Sequence, residues 1–365
     1  AYDTATVTID LNNVNEPPEN SVPGAQTTSE DTALVFSDAN GNPITVSDVD
    51  AAGNPVGATL SVTNGTLTLN GISGLTFGSG DGTSNTSMQF TGTIADINNA
   101  LDGLIYQPDP NYNGADVLTI ITDDLGNSGS GGALFDTDTV DITVTPVNDA
   151  PTLSTATPFT DISEDDFTNN GMLVSTYAAL ANDVDDGYLE GIAITSVDNT
   201  NGAWQYTLDG SNWSDIGSVN TSNALLLAAD ATSRFRFVPN PDYSGSSGIM
   251  NYKAWDQTSG SAGSYTNITA SGGTTAFSSG TNGAALTVDP VNDAPELSGA
   301  GMYLTTITED TITNDGDLVS AIIASGGGDP ITDVDAGALE GIAIFSLSNS
   351  NGTWEYDLGS GWTAV

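Results

Sequence analysis

The segment Val147-Asn148-Asp149-Ala150-Pro151 returns unchanged as Val291-Asn292-Asp293-Ala294-Pro295, and nearly so as Val14-Asn15-Glu16-Pro17-Pro18. Successive copies stand 133 and 144 residues apart. Solenoid repeats run about 20–50 residues, whereas a step of roughly 140 is one whole domain. The recurrence therefore divides the chain. Residues 1–15 read as the last strand of a preceding repeat, 16–148 as a complete repeat, 149–292 as a longer one and 293–365 as the N-terminal half of a third. Each copy also carries an acidic residue where one domain hands over to the next. A repeated acidic linker implies a beaded rod whose joints bind cations.

The formal charge is −44, from 47 acidic and 3 basic side chains, with no His and no Cys. Asp supplies 38 of the acidic residues and Glu only 9, which argues against an acidic helical tail, because Asp favours turns and caps over helix. Hydrophobic residues make up 38% of the chain, enough to build cores despite the charge. Arg234, Arg236 and Lys253 are the whole basic complement, too little to neutralise phosphates, so nucleic-acid binding is excluded. Disulfides are excluded too, and stability must come from packing and from whatever neutralises the carboxylates. A diffuse acidic surface adapted to high salt is one explanation of the charge. Specific divalent-cation binding is the other, and it requires the carboxylates to cluster at fixed positions.

No stretch reaches the ~18–20 apolar residues of a membrane span, and no signal peptide is present. The chain opens directly into the alternating run Ala5-Thr-Val-Thr-Ile-Asp10 and closes at Val365 partway through a repeat. It reads as a window from a longer polypeptide. Short alternating runs recur at Ala58–Val62, Val117–Ile121, Val140–Val144 and Ala285–Val288, each a strand with one buried face. Asn64-Gly65, Asn70-Gly71, Asn201-Gly202 and Asn351-Gly352 are expected to supply hairpin turns, since both residues tolerate positive φ. One helix is expected over 95–103, closed by Gly103. Many short strands between closely spaced turns predict an all-β chain of tandem β-sandwiches.

Three acidic motifs keep step with the linkers. Ser29-Glu30-Asp31, Ser163-Glu164-Asp165 and Thr308-Glu309-Asp310 place their Glu 15–17 residues after the linker Asn. Asp48-Val-Asp50, Asp183-Val-Asp185 and Asp333-Val-Asp335 follow at 33–43 residues, and Asp124 or Asp256 stands late in each complete repeat. In a strand the two carboxylates of Asp-x-Asp diverge; in a curled loop both reach one ion. Ca²⁺ takes about 6–8 oxygen ligands in irregular geometry, which suits loop carboxylates, Asn oxygens and backbone carbonyls. Without His or Cys, zinc and copper sites are not expected.

Leu118-Thr-Ile-Ile-Thr-Asp-Asp124-Leu-Gly126, then Val140-Asp-Ile-Thr-Val144, then Asn148-Asp149-Ala-Pro151 resembles the ending of a cadherin repeat: an Ala-x-Asp-x-Gly motif, a final strand and an Asx-rich linker before Pro. The Val-Asn-Asp-Ala-Pro boundary is similar to that of cadherin-like tandem repeats in giant bacterial surface proteins and type I-secreted (RTX-type) adhesins. The resemblance covers essentially the whole chain and implies Ig-like, Greek-key sandwiches in an extended rod, joined by Ca²⁺. It also implies how ligands divide. The first joint would use Asn15, Glu16, Asp48, Asp50 and Asp124. The joint between repeats one and two would use Glu30, Asn148, Asp149, Asp183, Asp185 and Asp256. The joint between two and three would use Glu164, Asn292, Asp293, Asp333 and Asp335. Glu16 replaces the linker Asp, Ala150 and Ala294 replace a second linker Asx, and no mid-domain Asp-x-Glu pair is visible, which implies fewer ions per joint than in cadherins.

The function so implied is a non-enzymatic, calcium-rigidified extender or adhesion segment of a large bacterial extracellular protein, exposed at the cell surface. Its partners are neighbouring repeats of the same chain, with surface ligands or self-association also open. One alternative is a glycan- or peptide-binding adhesin module using Trp204, Tyr206 and Trp213, echoed by Trp354, Tyr356 and Trp362; period-two placement equally fits cross-strand packing. Another is a filament subunit whose strand 1–15 completes a neighbour's sandwich. Gly78-Ser-Gly-Asp-Gly82 resembles a calcium-binding β-roll turn but occurs once. Carboxylate pairs suited to glycosidase chemistry arise by chance among so many Asp residues.

Overall fold

The structure, a computed structural model, describes residues 2, 4–51, 53–155, 157–185, 187, 189–298 and 301–365. Repeat one is a β-sandwich. Its larger sheet has six strands in the order Gln26–Ser29, Phe135–Thr145, Gly114–Asp123, Val56–Ser61, Ser87–Gly92 and Thr76–Ser79. Facing it are Leu34–Phe36, Leu104–Pro108 and Gly65–Thr68. Alternation decides what is buried. Leu118 and Ile120 point inward from Gly114–Asp123 to meet Phe36, Leu60, Phe90 and Ile142, while Val117 and Ile121 face out. The helix runs Ile94–Leu101, capped by the Thr93 side chain on Asp96 N, and Gly103 beyond it takes φ 108°.

Repeat two follows the same plan with an addition. A four-stranded sheet, Met172–Leu173, Arg234–Pro239, Gly202–Thr207 and Ser214–Asp215, packs against a five-stranded one ordered Tyr265–Thr266, Ala224–Ala228, Gly191–Ser196, Met250–Trp255 and Asn282–Ala284. Ile192, Ile194, Leu225 and Leu227 face the main core with Trp204, Phe235 and Phe237. Ala193, Ala224, Leu226 and Trp255 face a second, smaller core closed by Ile268, Ala276 and Phe277. Coverage on both faces explains the unbroken apolar run Ala224–Ala229, which no one-sided strand would carry.

In both repeats the second strand, Gln26–Ser29 or Ile162–Ser163, pairs parallel to the last, and this places the site. Ile142↔Gln26 through Thr145↔Ser29 sets Glu30 beside the start of the next linker; Ile162↔Val288 and Ser163↔Asp289 do the same for Glu164.

The Asn-Gly expectation needs correction. None of Gly65, Gly71, Gly202 or Gly352 has a positive φ. Asn64-Gly65 and Asn201-Gly202 lie where the chain crosses between sheets. A Cβ on Gly65 would stand 2.5 Å from Gln107 O, and one on Gly202 2.4 Å from Val238 O. Glycine is needed there for close approach, not for turning.

The ends carry little pairing. Residues 4–13 form no strand, and Val7, Ile9 and Leu11 are exposed. Leu339–Ile344 repeats Leu189–Ile194, which leads into central strand Gly191–Ser196, but is unpaired and exposed. Strands Ala224–Ala228 and Met250–Trp255 flank that strand in repeat two.

Candidate metal centre

Each Asp-x-Asp is an Asx turn. Asp48 Oδ1 accepts from Asp50 N at 3.0 Å, Asp183 Oδ1 from Asp185 N at 3.1 Å and Asp333 Oδ1 from Asp335 N at 3.0 Å. That curl puts both carboxylates on one side and turns the middle valine outward: Val49, Val184 and Val334 are all exposed. The second Asp then fastens the linker. Asp50 Oδ2 accepts from Glu16 N at 3.1 Å, Asp185 Oδ2 from Asp149 N at 2.8 Å and Asp335 Oδ2 from Asp293 N at 2.8 Å.

The late Asp holds the linker Asn. Asn15 Nδ2 donates to Asp124 Oδ2 at 2.5 Å and to Gly132 O at 3.0 Å. Asn148 Nδ2 donates to Asp256 Oδ2 at 3.0 Å and to Thr275 O at 3.3 Å. With the amide hydrogens so committed, Asn15 Oδ1 faces away from Asp124. Burial alone would raise the pKa of Asp124; the N–H groups of Leu134 and Gly126, with the Asn15 amide, outweigh it and hold the group below the usual carboxylate range.

The far pole of each repeat contributes its early Glu. Glu30 and Glu164 are buried, and their Oε1 atoms accept from Val147 N at 2.5 Å and Val291 N at 2.6 Å. Charges therefore crowd each joint. Burial, then Asp185, Asp31, Glu30 and Asp183, push Asp149 above the usual range. Burial, then Asp242, Asp165, Asp335 and Glu164, do the same to Asp293. Asp183 is raised by burial and by Asp185 and Asp256, and Asp48 by burial and by Asp50.

Two observations bear on metal binding, and they single out different joints. At the first joint, Asn15 Oδ1, Asp48 Oδ2 and Asp50 Oδ1 are buried without a hydrogen-bond partner; Asn15 is 6% and Asp50 9% exposed. A buried carboxylate oxygen with no donor is costly, and a cation removes the cost. At the joint between repeats two and three, ligand oxygens of Glu164, Asp293 and Asp335 lie within 4.8 Å of one another. Among the described residues that is the one such trio of acidic groups. The orphaned oxygens weigh more, because exposed carboxylates converge on many acidic surfaces. At the joint between repeats one and two, Asp183 Oδ2 is likewise buried and unpartnered. Hard oxygen donors from carboxylates and an amide, with no nitrogen or sulfur, fit Ca²⁺.

Three candidates are placed elsewhere. The Glu16 side chain is exposed, and it is its backbone N–H that the joint uses. Asn292 is exposed and bonds only Asp293 O. Glu309, in the third Ser/Thr-Glu-Asp motif, is exposed. Other contributors were not anticipated. Asp31, which accepts from Asn111 N at 3.2 Å, acts on Asp149, and Asp165 and Asp242 act on Asp293. The carbonyls of Gly132, Gly273 and Thr275 also touch the linkers; the Gly- and Ser-rich runs around them are the available sequence signal.

Solved cadherin ectodomains are among the structural neighbours. Mouse cadherin-23 EC22-24 matches at 12% identity and TM-score 0.42, over 88% of this chain and 79% of that one. Human CDH23 EC21-23 matches at 14% identity and TM-score 0.40, over 88% and 81%. BcpA, the major pilin subunit of Bacillus cereus, matches at 9% identity and TM-score 0.25, over 69% and 63%. Likeness at this level adds nothing to the sandwiches already read from strand pairing. No protein-family model matches the chain, and no curated protein does.

The aromatic residues of repeat two do not form a platform. Trp204 is fully buried against Phe159, Phe235 and Phe237, and Trp255 lies in the second core. Trp213 is half-buried with the Arg236 guanidinium 4.1 Å from its ring centroid.

Proposed function

We propose that this chain is a non-enzymatic extender or adhesion segment of a large bacterial extracellular protein, whose β-sandwich repeats are stiffened at their joints by Ca²⁺. The observation that carries the reading is the trio of buried, unpartnered oxygens on Asn15, Asp48 and Asp50, beside a charged Asp124. The Asp-x-Asp turns supply carboxylates from the following repeat, the linker supplies its Asn, and Glu30 or Glu164 closes from the preceding one. Without a cation these like charges repel one another across the joint. When bound, Ca²⁺ supplies shared coordination to both sides of a joint. The carboxylates then tie two repeats together, and the string becomes a rod that holds distal domains away from the surface. Among the described residues no helix is long and apolar enough to cross a membrane.

Small-angle scattering in calcium and in chelator tests this. The maximum dimension should lengthen and its distribution narrow with calcium; identical curves would sink the idea. Burial of Trp204 weighs against a glycan-binding face in repeat two, whereas the matching Trp354, Tyr356 and Trp362 are exposed.

A further inference from the structure

The last two strands of repeat one are joined by residues 124–134, but in repeat two the corresponding connection runs from 256 to 281. It lies across the outer face of the five-stranded sheet, adds strand Tyr265–Thr266 to its edge and buries Trp255 and Leu226 under Ile268 and Phe277. The same face of repeat one is bare, with Val117 39% and Ile121 37% exposed.

Under this connection sits Lys253, the sole lysine of the chain and 6% exposed. Its Nζ donates to Ser278 O at 2.9 Å, Ser279 O at 2.7 Å and Gly280 O at 3.2 Å. An ammonium has three donors, and here each finds a carbonyl oxygen, so a buried charge is accommodated without a carboxylate. The neighbouring residues are stitched to strand Met250–Trp255: Ser278 N donates to Ala254 O at 3.1 Å, Ala254 N to Ser278 Oγ at 3.0 Å, and Asp256 N to Ala276 O at 3.1 Å. Just upstream, the connection holds the linker. Ala150 N donates to Gly273 O at 2.7 Å, and Asn148 Nδ2 to Thr275 O at 3.3 Å. Counting back from the late Asp, the residue matching Lys253 in repeat one is Ile121, so the first joint has no such cation.

We propose that Lys253 is a built-in cation that staples the 256–281 connection to its sheet and, through Gly273 and Thr275, keeps the linker between repeats one and two docked before any metal ion arrives. The consequence for calcium rests on the reading of the joints given above; the docking itself does not. Lys253 is a positioning residue that bonds carbonyls and no carboxylate, and it makes this joint the preorganised one, with less ordering left to oppose ion binding.

Lys253→Met keeps the stem and removes the donors. In chelator, amide exchange read by mass spectrometry should quicken about tenfold in peptides covering 270–281 and in those covering 148–151, with Ala224–Ala228 unchanged. On calcium titration, the midpoint for protecting 148–151 should rise about tenfold while that for residues 13–16 stays put. If 270–281 loosens and 148–151 does not, Lys253 anchors the connection alone and the proposal is wrong. Should that variant not fold, Ala150→Pro removes the N–H given to Gly273 while also fixing φ there and restricting Asp149, so Ala150→Gly, which keeps the N–H, serves as its control. Ala150→Pro should loosen the linker without loosening 270–281, and an unmoved linker overturns the proposal. Absence of any calcium effect in the unsubstituted chain would refute the calcium-bound joints, while the chelator measurement still decides the staple.

Discussion

At the scale of single residues, a carboxylate oxygen cut off from water and lacking a donor weakens the ion-free protein. Asp48 shows this. Its Oδ1 accepts from two backbone N–H groups, those of Asp50 and Ala51, while its Oδ2 has no partner and faces a second carboxylate. An amide in its place keeps the turn and offers a donor where the orphan stands. Asp48→Asn should therefore raise the melting temperature in chelator by about 2–4 °C and abolish the further rise on adding calcium; calorimetry under both conditions reads the two opposite signs. The raised pKa values of Asp48, Asp149, Asp183 and Asp293 carry a pH dependence. Each holds its proton more tightly folded than unfolded, so its contribution is most favourable below the unfolded value near 4 and declines as pH climbs past the folded value. Asp124 runs the other way, its contribution lost as pH falls through its depressed value. Chelated protein should thus lose stability as pH rises above about 4, by denaturant unfolding, and calcium should cancel the loss. The Asp-x-Asp positions were legible because spacing and turn chemistry are side-chain properties. The Gly132, Gly273 and Thr275 carbonyls were not, because every residue has one.

At the scale of elements, alternation predicted strands such as Gly114–Asp123 and the capped helix, yet misjudged the Asn-Gly pairs. A two-residue hairpin and a crossing between sheets both follow a strand and both admit glycine; only the partner of the next strand tells them apart. Here Gly65–Thr68 pairs with Leu104–Pro108, not with the strand before it. Gly65→Ala and Gly202→Ala should each cost about 1–3 kcal/mol in urea unfolding, through overpacking against Gln107 O and Val238 O. Gly71→Ala, with open space and ordinary φ, should be near neutral. The second core of repeat two was hidden for a related reason: an apolar run like Leu225-Leu226-Leu227 does not announce what covers its other face.

At the scale of the whole chain, diffuse acidity and built sites make different demands on salt. Raising NaCl from 0.15 to 1 M shortens the Debye length from about 8 to about 3 Å, which screens general repulsion but cannot occupy an oxygen cup. In chelator, high NaCl should raise the melting temperature yet leave linker 148–151 no better protected from exchange than before, while millimolar calcium should protect it. Equal protection by sodium would favour the halophilic explanation of the −44 charge.

The parallel pairing of the second strand with the last, which sets Glu30 and Glu164 at the joints, also bears on how the chain responds to tension. Tension enters a repeat at one linker and leaves at the other, so these two strands slide along each other and their ladder bonds are strained together rather than one by one. Repeat one opposes sliding with four residue pairs, Ile142↔Gln26 to Thr145↔Ser29, and repeat two with two, Ile162↔Val288 and Ser163↔Asp289. By this pairing, repeat two is expected to shear at lower force than repeat one, a difference that single-molecule pulling would read.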